Sequence, residues 1–116
     1  MSLPHAISGE IISIRPLEAK LQEAFSTALL KTPHLEIMRL ILVTGKSMPE
    51  HHLAGEVTIQ CLEGAIELRA HQKTQTLRAG DLVYLAGGEP HALKALEDAS
   101  VLVTILLKNS EMKAAQ

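Results

Sequence analysis

His51 and His52 stand side by side after Pro49, and Glu56 follows His52 at an interval of three intervening residues. Imidazole nitrogens and a carboxylate at such spacing are the donor types that hold divalent metals or move protons. A third histidine, His91, comes later, behind a Gly87-Gly88 turn and Pro90. Glu50, Glu56 and Glu89 are near these histidines in sequence and could serve as general acids or bases, although solvated surface carboxylates account for them more plainly. The histidines likewise have a plain reading, as hydrogen-bonding residues of loops. Gly87-Gly88 is a turn and not a phosphate loop, since no Lys-Ser/Thr pair follows it. Arg39 interrupts an apolar strand: facing inward it could pair a carboxylate, and the plainer place for it is an exposed face. His5, His34 and His71 lie in the N-terminal tail or at turns and carry no signal.

These residues need strands to position them. Leu35 to Val43 is apolar on both faces over its second half, as expected of a strand between packed layers. Thr44-Gly45 turns the chain, and Pro49 is expected to break any regular element before His51. Val57, Ile59 and Cys61 then share one strand face and Glu56, Thr58 and Gln60 the other. Ile66 and Leu68 alternate with Glu67 and Arg69 after the Glu63-Gly64 turn, which predicts a hairpin between these two strands. A polar turn over 72–75, then short strands at 76–77, 82–85, 91–96 and 100–107, complete a spacing typical of all-β sandwiches and barrels. Upstream, Glu10 to Arg15 reads as a brief strand. The apolar positions from Leu17 to Leu29 follow helical spacing, although 26–31 could instead pair as a hairpin.

Composition narrows the function. At 116 residues and 12.6 kDa the chain suits one domain with one core, here residues 1–116 with the core at about 35–107 and a frayed tail at 108–116. Aromatic residues make up only 2%, so the core is aliphatic and base-stacking platforms are disfavoured. A net charge of −2 without a basic run argues against nucleic acid and anionic membranes as partners. Cys61 is the single cysteine, which excludes an intramolecular disulfide; its place in an apolar strand favours a buried small side chain over a catalytic thiol. The N-terminus lacks a secretory pattern and the longest apolar run, Val101 to Leu107, is too short to span a bilayer, so a cytoplasmic protein is expected.

Two stretches carry a family pattern: Gly45 to Gly64 (GKSMPEHHLAGEVTIQCLEG) and Gly80 to His91 (GDLVYLAGGEPH). Gly45, His51 and Gly64 fall on the separations of the first motif of the cupin superfamily, and Gly80, Gly88 and His91 on those of the second. The chain thus resembles a small single-domain, type-2-like cupin over about Leu35 to Leu107. That resemblance implies an all-β fold, a double-stranded β-helix (RmlC-like jelly roll) with a short N-terminal helix or strand extension and a cavity between two sheets. It also implies a metal held by two His and a Glu of the first motif and the His of the second. Here Leu53 occupies the second His position and Val57 the Glu position, with Ala86 and Ala95 in place of Pro and Asn of the second motif. The metal motif is degenerate. A local bulge offers one repair, a set of His51, His52, Glu56 and His91, although strand parity sets Glu56 opposite the apolar face.

Two functions follow from this pattern. The first is binding of a small organic molecule in the barrel, with Val57, Ile59, Cys61, Ile66 and Leu68 lining a narrow apolar cavity, the histidines at one end, and a weak native metal site or none. The alternative is a metal-dependent enzyme, a dioxygenase, isomerase or lyase, using one divalent ion (Zn, Fe, Mn or Ni) on the remodelled set. The ligand is a small molecule in either case. A homodimer is expected through sheet edges and the N-terminal strand.

Overall fold

Alternation of apolar and polar residues decides which face each strand buries, and the buried faces here close on one another. The structure, a computed structural model, describes residues 5–107; the expected tail at 108–116 lies outside them. Among the described residues nine strands form: β1 (Thr27–Lys31), β2 (Leu35–Leu42), β3 (Ser47–His51), β4 (Val57–Glu63), β5 (Ala65–Ala70), β6 (Lys73–Arg78), β7 (Leu82–Leu85), β8 (His91–Ala95) and β9 (Ala99–Leu106). They make two antiparallel sheets, one ordered β1-β2-β9-β4-β7 and the other β3-β8-β5-β6. This is the all-β jelly roll that the motifs imply.

The core lies between the sheets. Val57, Ile59 and Cys61 of β4 pair with Ile105, Val103 and Val101 of β9, and all six are buried. Ile66 and Leu68 of β5 meet them from the other sheet, beside Leu93 and Ala95 of β8. Each fully buried Ile or Leu contributes roughly 1.5–3 kcal/mol through loss of apolar surface from water. With almost no aromatic residues, such aliphatic contacts must carry the fold.

Five local expectations fail, each for a physical reason. The turn expected over 72–75 is confined to His71 and Gln72, both at positive φ, and Lys73–Arg78 is already strand because Lys73, Thr74 and Gln75 pair with Ala70, Arg69 and Leu68 of β5. β4 and β5 do not form a hairpin: β4 pairs with β9 and β7, while β5 pairs with β8 and β6. Gly64 instead turns the chain from one sheet into the other at φ +80°, and a Cβ there would sit 2.1 Å from the Asp98 carbonyl oxygen. Pro49 does not break the chain, because β3 is an edge strand with a bulge between Met48 and His51, where a missing N–H costs no ladder bond. The helix expected over 17–29 shrinks to a 3₁₀ segment, Glu18–Glu23, that buries only Leu21; Thr27–Lys31 pairs with β2, and Phe25, on the expected apolar stripe, is 84% exposed. Glu10 to Arg15 is no strand, since it finds no ladder partner and Ile11 is 96% exposed.

The segment before β1 is strapped over the outer side of the five-stranded sheet. Glu63 Oε2 accepts the Leu17 N–H at 2.5 Å and the Ser100 hydroxyl at 3.2 Å, while its Oε1 accepts the Glu18 N–H at 3.0 Å. Arg39 lies under this strap, buried, donating through its guanidinium to the Arg15 carbonyl oxygen. It therefore faces neither the barrel interior nor open solvent. No helix among the described residues is long and apolar enough to cross a membrane.

Candidate functional site

His51 and His91 end their strands at the same mouth of the barrel. They are Cα partners across β3 and β8, with ring centroids 4.4 Å apart and planes tilted by 54°. The bulge produces this meeting: His51 comes three positions after Met48, with Pro49 and Glu50 between them, an interval that regular alternation would send to opposite faces. His91 is 3% exposed and shares the inward face of β8 with Leu93 and Ala95.

The hydrogen bonds fix how both rings can act. His51 Nδ1 lies 3.1 Å from the Pro49 carbonyl oxygen, and His91 Nδ1 lies 3.0 Å from the Glu89 carbonyl oxygen. A carbonyl oxygen only accepts, so in each bond Nδ1 carries the hydrogen. The Nε2 atoms are left bare as acceptors, with no protein partner among the described residues. Tethering of Nδ1 to a carbonyl also orients histidines that ligate metals.

The other expected ligands do not join them. His52 is exposed just beyond β3, and Glu56 is exposed on the outer face, where its Oε2 accepts the Tyr84 hydroxyl at 2.5 Å. Leu53, at the second His position, packs against the core, and its carbonyl accepts the Gly88 N–H at 2.7 Å. The loops 52–56 and 86–90 touch closely at Gly87, where a Cβ would meet the Ala54 carbonyl oxygen at 2.4 Å. Among the described residues no group of three His, Cys, Asp or Glu side chains could hold a metal ion. A lasting divalent site normally takes three protein ligands or more, so the residues present do not fit one.

Below the mouth the barrel is filled. Val57, Ile59, Cys61, Ile66 and Leu68, read from sequence as cavity lining, are buried core residues packed together. Cys61 Sγ donates weakly to the Glu63 and Gly64 carbonyls, and burial pushes its thiol pKa up. Glu89 is engaged as well: its carboxylate accepts the His71 N–H at 3.2 Å. An open cleft of about 680 Å³, lined by Glu50, Arg69, His71, Lys73 and Glu89 among others, lies at the end of the smaller sheet, but neither imidazole lines it. Its accessible charges are ordinary surface groups, and the chemistry remains with the histidine pair. Motif spacing passes over one polar residue on the core side: Glu36, which alternates with Met38, Leu40 and Leu42 on β2.

The cupin domain family matches residues 38–106, over half of the chain. The chain is a cupin. The match takes in both histidines of the pair and all but the first strand and the start of the second. The solved structures that this cupin is similar to include a conserved protein of unknown function from Streptococcus pyogenes, at 22% identity and TM-score 0.72, covering 94% of this chain and 99% of that one. An RmlC-like cupin family protein with a double-stranded β-helix fold from Methanocaldococcus jannaschii matches at 18% identity and TM-score 0.72, over 90% and 99% of the two chains. KdgF from Halomonas sp. matches at 21% identity and TM-score 0.66, over 75% and 81%. At these identities the likeness is one of fold. No curated protein matches the sequence.

Proposed function

We propose that this cupin binds a small organic molecule at the barrel mouth, without a tight native metal. The observation that carries the reading is the pair of imidazoles, His51 and His91, 4.4 Å apart between ring centroids and each tethered through Nδ1 to a carbonyl oxygen. The filled interior supports a site at the mouth and not in a deep cavity. Hydrogen bonds at a net of about 1 kcal/mol each fall well short of the roughly −8 kcal/mol of a micromolar ligand. Apolar contact with residues such as Leu53 and Met38, both partly buried against the core, supplies the rest.

A metal-dependent dioxygenase, isomerase or lyase is the competing reading, and the carbonyl tethers of both rings are what favour it. Elemental mass spectrometry on untagged protein purified without chelator or a nickel column, with His91→Ala alongside, separates the two. Far less than stoichiometric metal in both proteins is the expected result. Near-stoichiometric metal in the wild type, lost in the variant, would overturn the binding reading in favour of a metal centre.

A further inference from the structure

An antiparallel sheet that leaves one face to water alternates apolar residues inward with polar residues outward. The smaller sheet obeys this rule. Its outward rows carry Lys94 opposite Glu67, and Arg69 between Ala92 and Thr74. The larger sheet does not. Across its outer face one row runs Leu30, Ile37, Thr104, Thr58, Tyr84 from β1 to β7, and the next runs Thr27, Arg39, Leu102, Gln60, Leu82. Leu35 and Leu106 pair in the row beyond Ile37. Within these rows the one charged residue is Arg39, buried under the strap. Other charges border the face: Glu56, whose carboxylate Tyr84 engages, Asp81, which accepts the Arg78 N–H, and Glu63 with the residues of the strap. Nothing among the described residues covers the rest. Leu82 is 62% exposed and Tyr84 57%, and Phe25 stands exposed between the strap and β1.

We infer that this outer face is the seat of a second copy of the chain, packed face to face about a twofold axis. Three rows about 7 Å apart, across strands about 4.8 Å apart, give a flat footprint of roughly 400 Å². Side-chain relief, with Tyr84 and Phe25 as the largest contributors, raises the accessible area toward the roughly 800 Å² per partner of a standard interface. The chemistry of the face matches itself. A twofold mate brings the same apolar rows, with hydroxyls and an amide from Thr58, Thr104 and Gln60, and no free charge that burial would strand. A charged partner would find nothing within the rows to pair with. The sheet edges offer less: β3 carries Pro49 and a bulge, the Ala6 N–H already takes the Leu29 carbonyl on β1, β6 begins at Lys73 and ends at Arg78, and β7 is four residues long. Pairing by faces also leaves the charged outer side of the smaller sheet in water. It does not depend on what the barrel mouth binds.

Sedimentation equilibrium of the full chain tests the pairing. The wild type should have the mass of a dimer at micromolar concentration. Thr104→Arg places a charge at the centre of the middle row without entering the core, and it should weaken the dimer about a hundredfold, the effect of an unpaired buried charge. Thr76→Arg, on the outward face of the smaller sheet, should leave the dimer intact. Circular dichroism and urea midpoints establish that each variant is folded, and Leu82→Arg serves if Thr104→Arg is not. A monomeric wild type would overturn the inference and leave the face to a different partner. A dimer that survives both Thr104→Arg and Leu82→Arg, or one that Thr76→Arg breaks as readily, would overturn the assignment to this face.

Discussion

Tyr84 donates its hydroxyl hydrogen to Glu56 Oε2 at 2.5 Å on the outer face of the five-stranded sheet. The bond holds away from the barrel the carboxylate whose interval from His52 fits a ligand set. It also pushes the Tyr84 pKa up, first through the hydrogen bond and then through smaller desolvation and charge effects. Because the folded value lies above the unfolded one, the stabilisation is fully present below the ordinary tyrosine range of about 10. It is lost as pH rises through the folded value. The chain has a single tyrosine, so an absorbance titration reads Tyr84 alone. Native protein should ionise at higher pH than denatured protein, and Glu56→Ala, which removes the acceptor, should largely abolish the difference; coincident curves for native and denatured wild type would contradict the bond.

Asp98 makes the corresponding prediction on the acid side. Its carboxylate accepts from the Gln22 side chain at 2.7 Å and from the Thr44 N–H and hydroxyl at 2.8 and 2.9 Å, and these bonds, that of Gln22 foremost, hold its pKa below the usual range. A depressed folded value contributes stability above the unfolded pKa that disappears as pH falls through the folded one. Urea midpoints measured from pH 7 downward should therefore fall less steeply below about pH 4 in Asp98→Asn than in wild type. Parallel curves would show that the carboxylate is not linked to folding.

Glu63 is the clamp of the N-terminal strap. Glu63→Ala removes the acceptor for the Leu17 and Glu18 N–H groups and for the Ser100 hydroxyl. The loss should destabilise the protein by about 1–3 kcal/mol in denaturant unfolding. Limited proteolysis should cut between residues 15 and 26 faster than in wild type, ahead of any cleavage within the sheets. Unchanged cutting there would mean that Leu21 packing and the Arg39–Arg15 and Gln22–Asp98 bonds hold the strap without Glu63.

Cys61 should be inert while the protein is folded. It is fully buried, and its thiol pKa is raised chiefly by desolvation, so the reactive thiolate is scarce and out of reach. A thiol reagent should label native protein only at the rate of unfolding and should react at once in denaturant. Rapid native labelling would show that the barrel opens far more easily than its packing implies.

The sequence by itself determined the strand faces and the two motifs. Alternation is a local property, so Val57, Ile59, Cys61, Ile66 and Leu68 are legible as inward residues, and 82–85 is legible as a strand to the residue. Gly45, His51, Gly64, Gly80, Gly88 and His91 carry the family because their separations are preserved along the chain. Tertiary structure alone decided which strands pair. The Glu63-Gly64 turn is compatible locally with a hairpin or with a crossing between sheets, and only the partners waiting in β9 and β8 select the crossing. The same holds at the mouth. A bulge in β3 brings His51 beside His91, a tyrosine from β7 engages the Glu56 carboxylate that strand parity already sets outward, and register across β9 pairs Glu36 with Ile105. Each depends on hydrogen bonds and pairings between residues far apart in sequence, which no local spacing specifies.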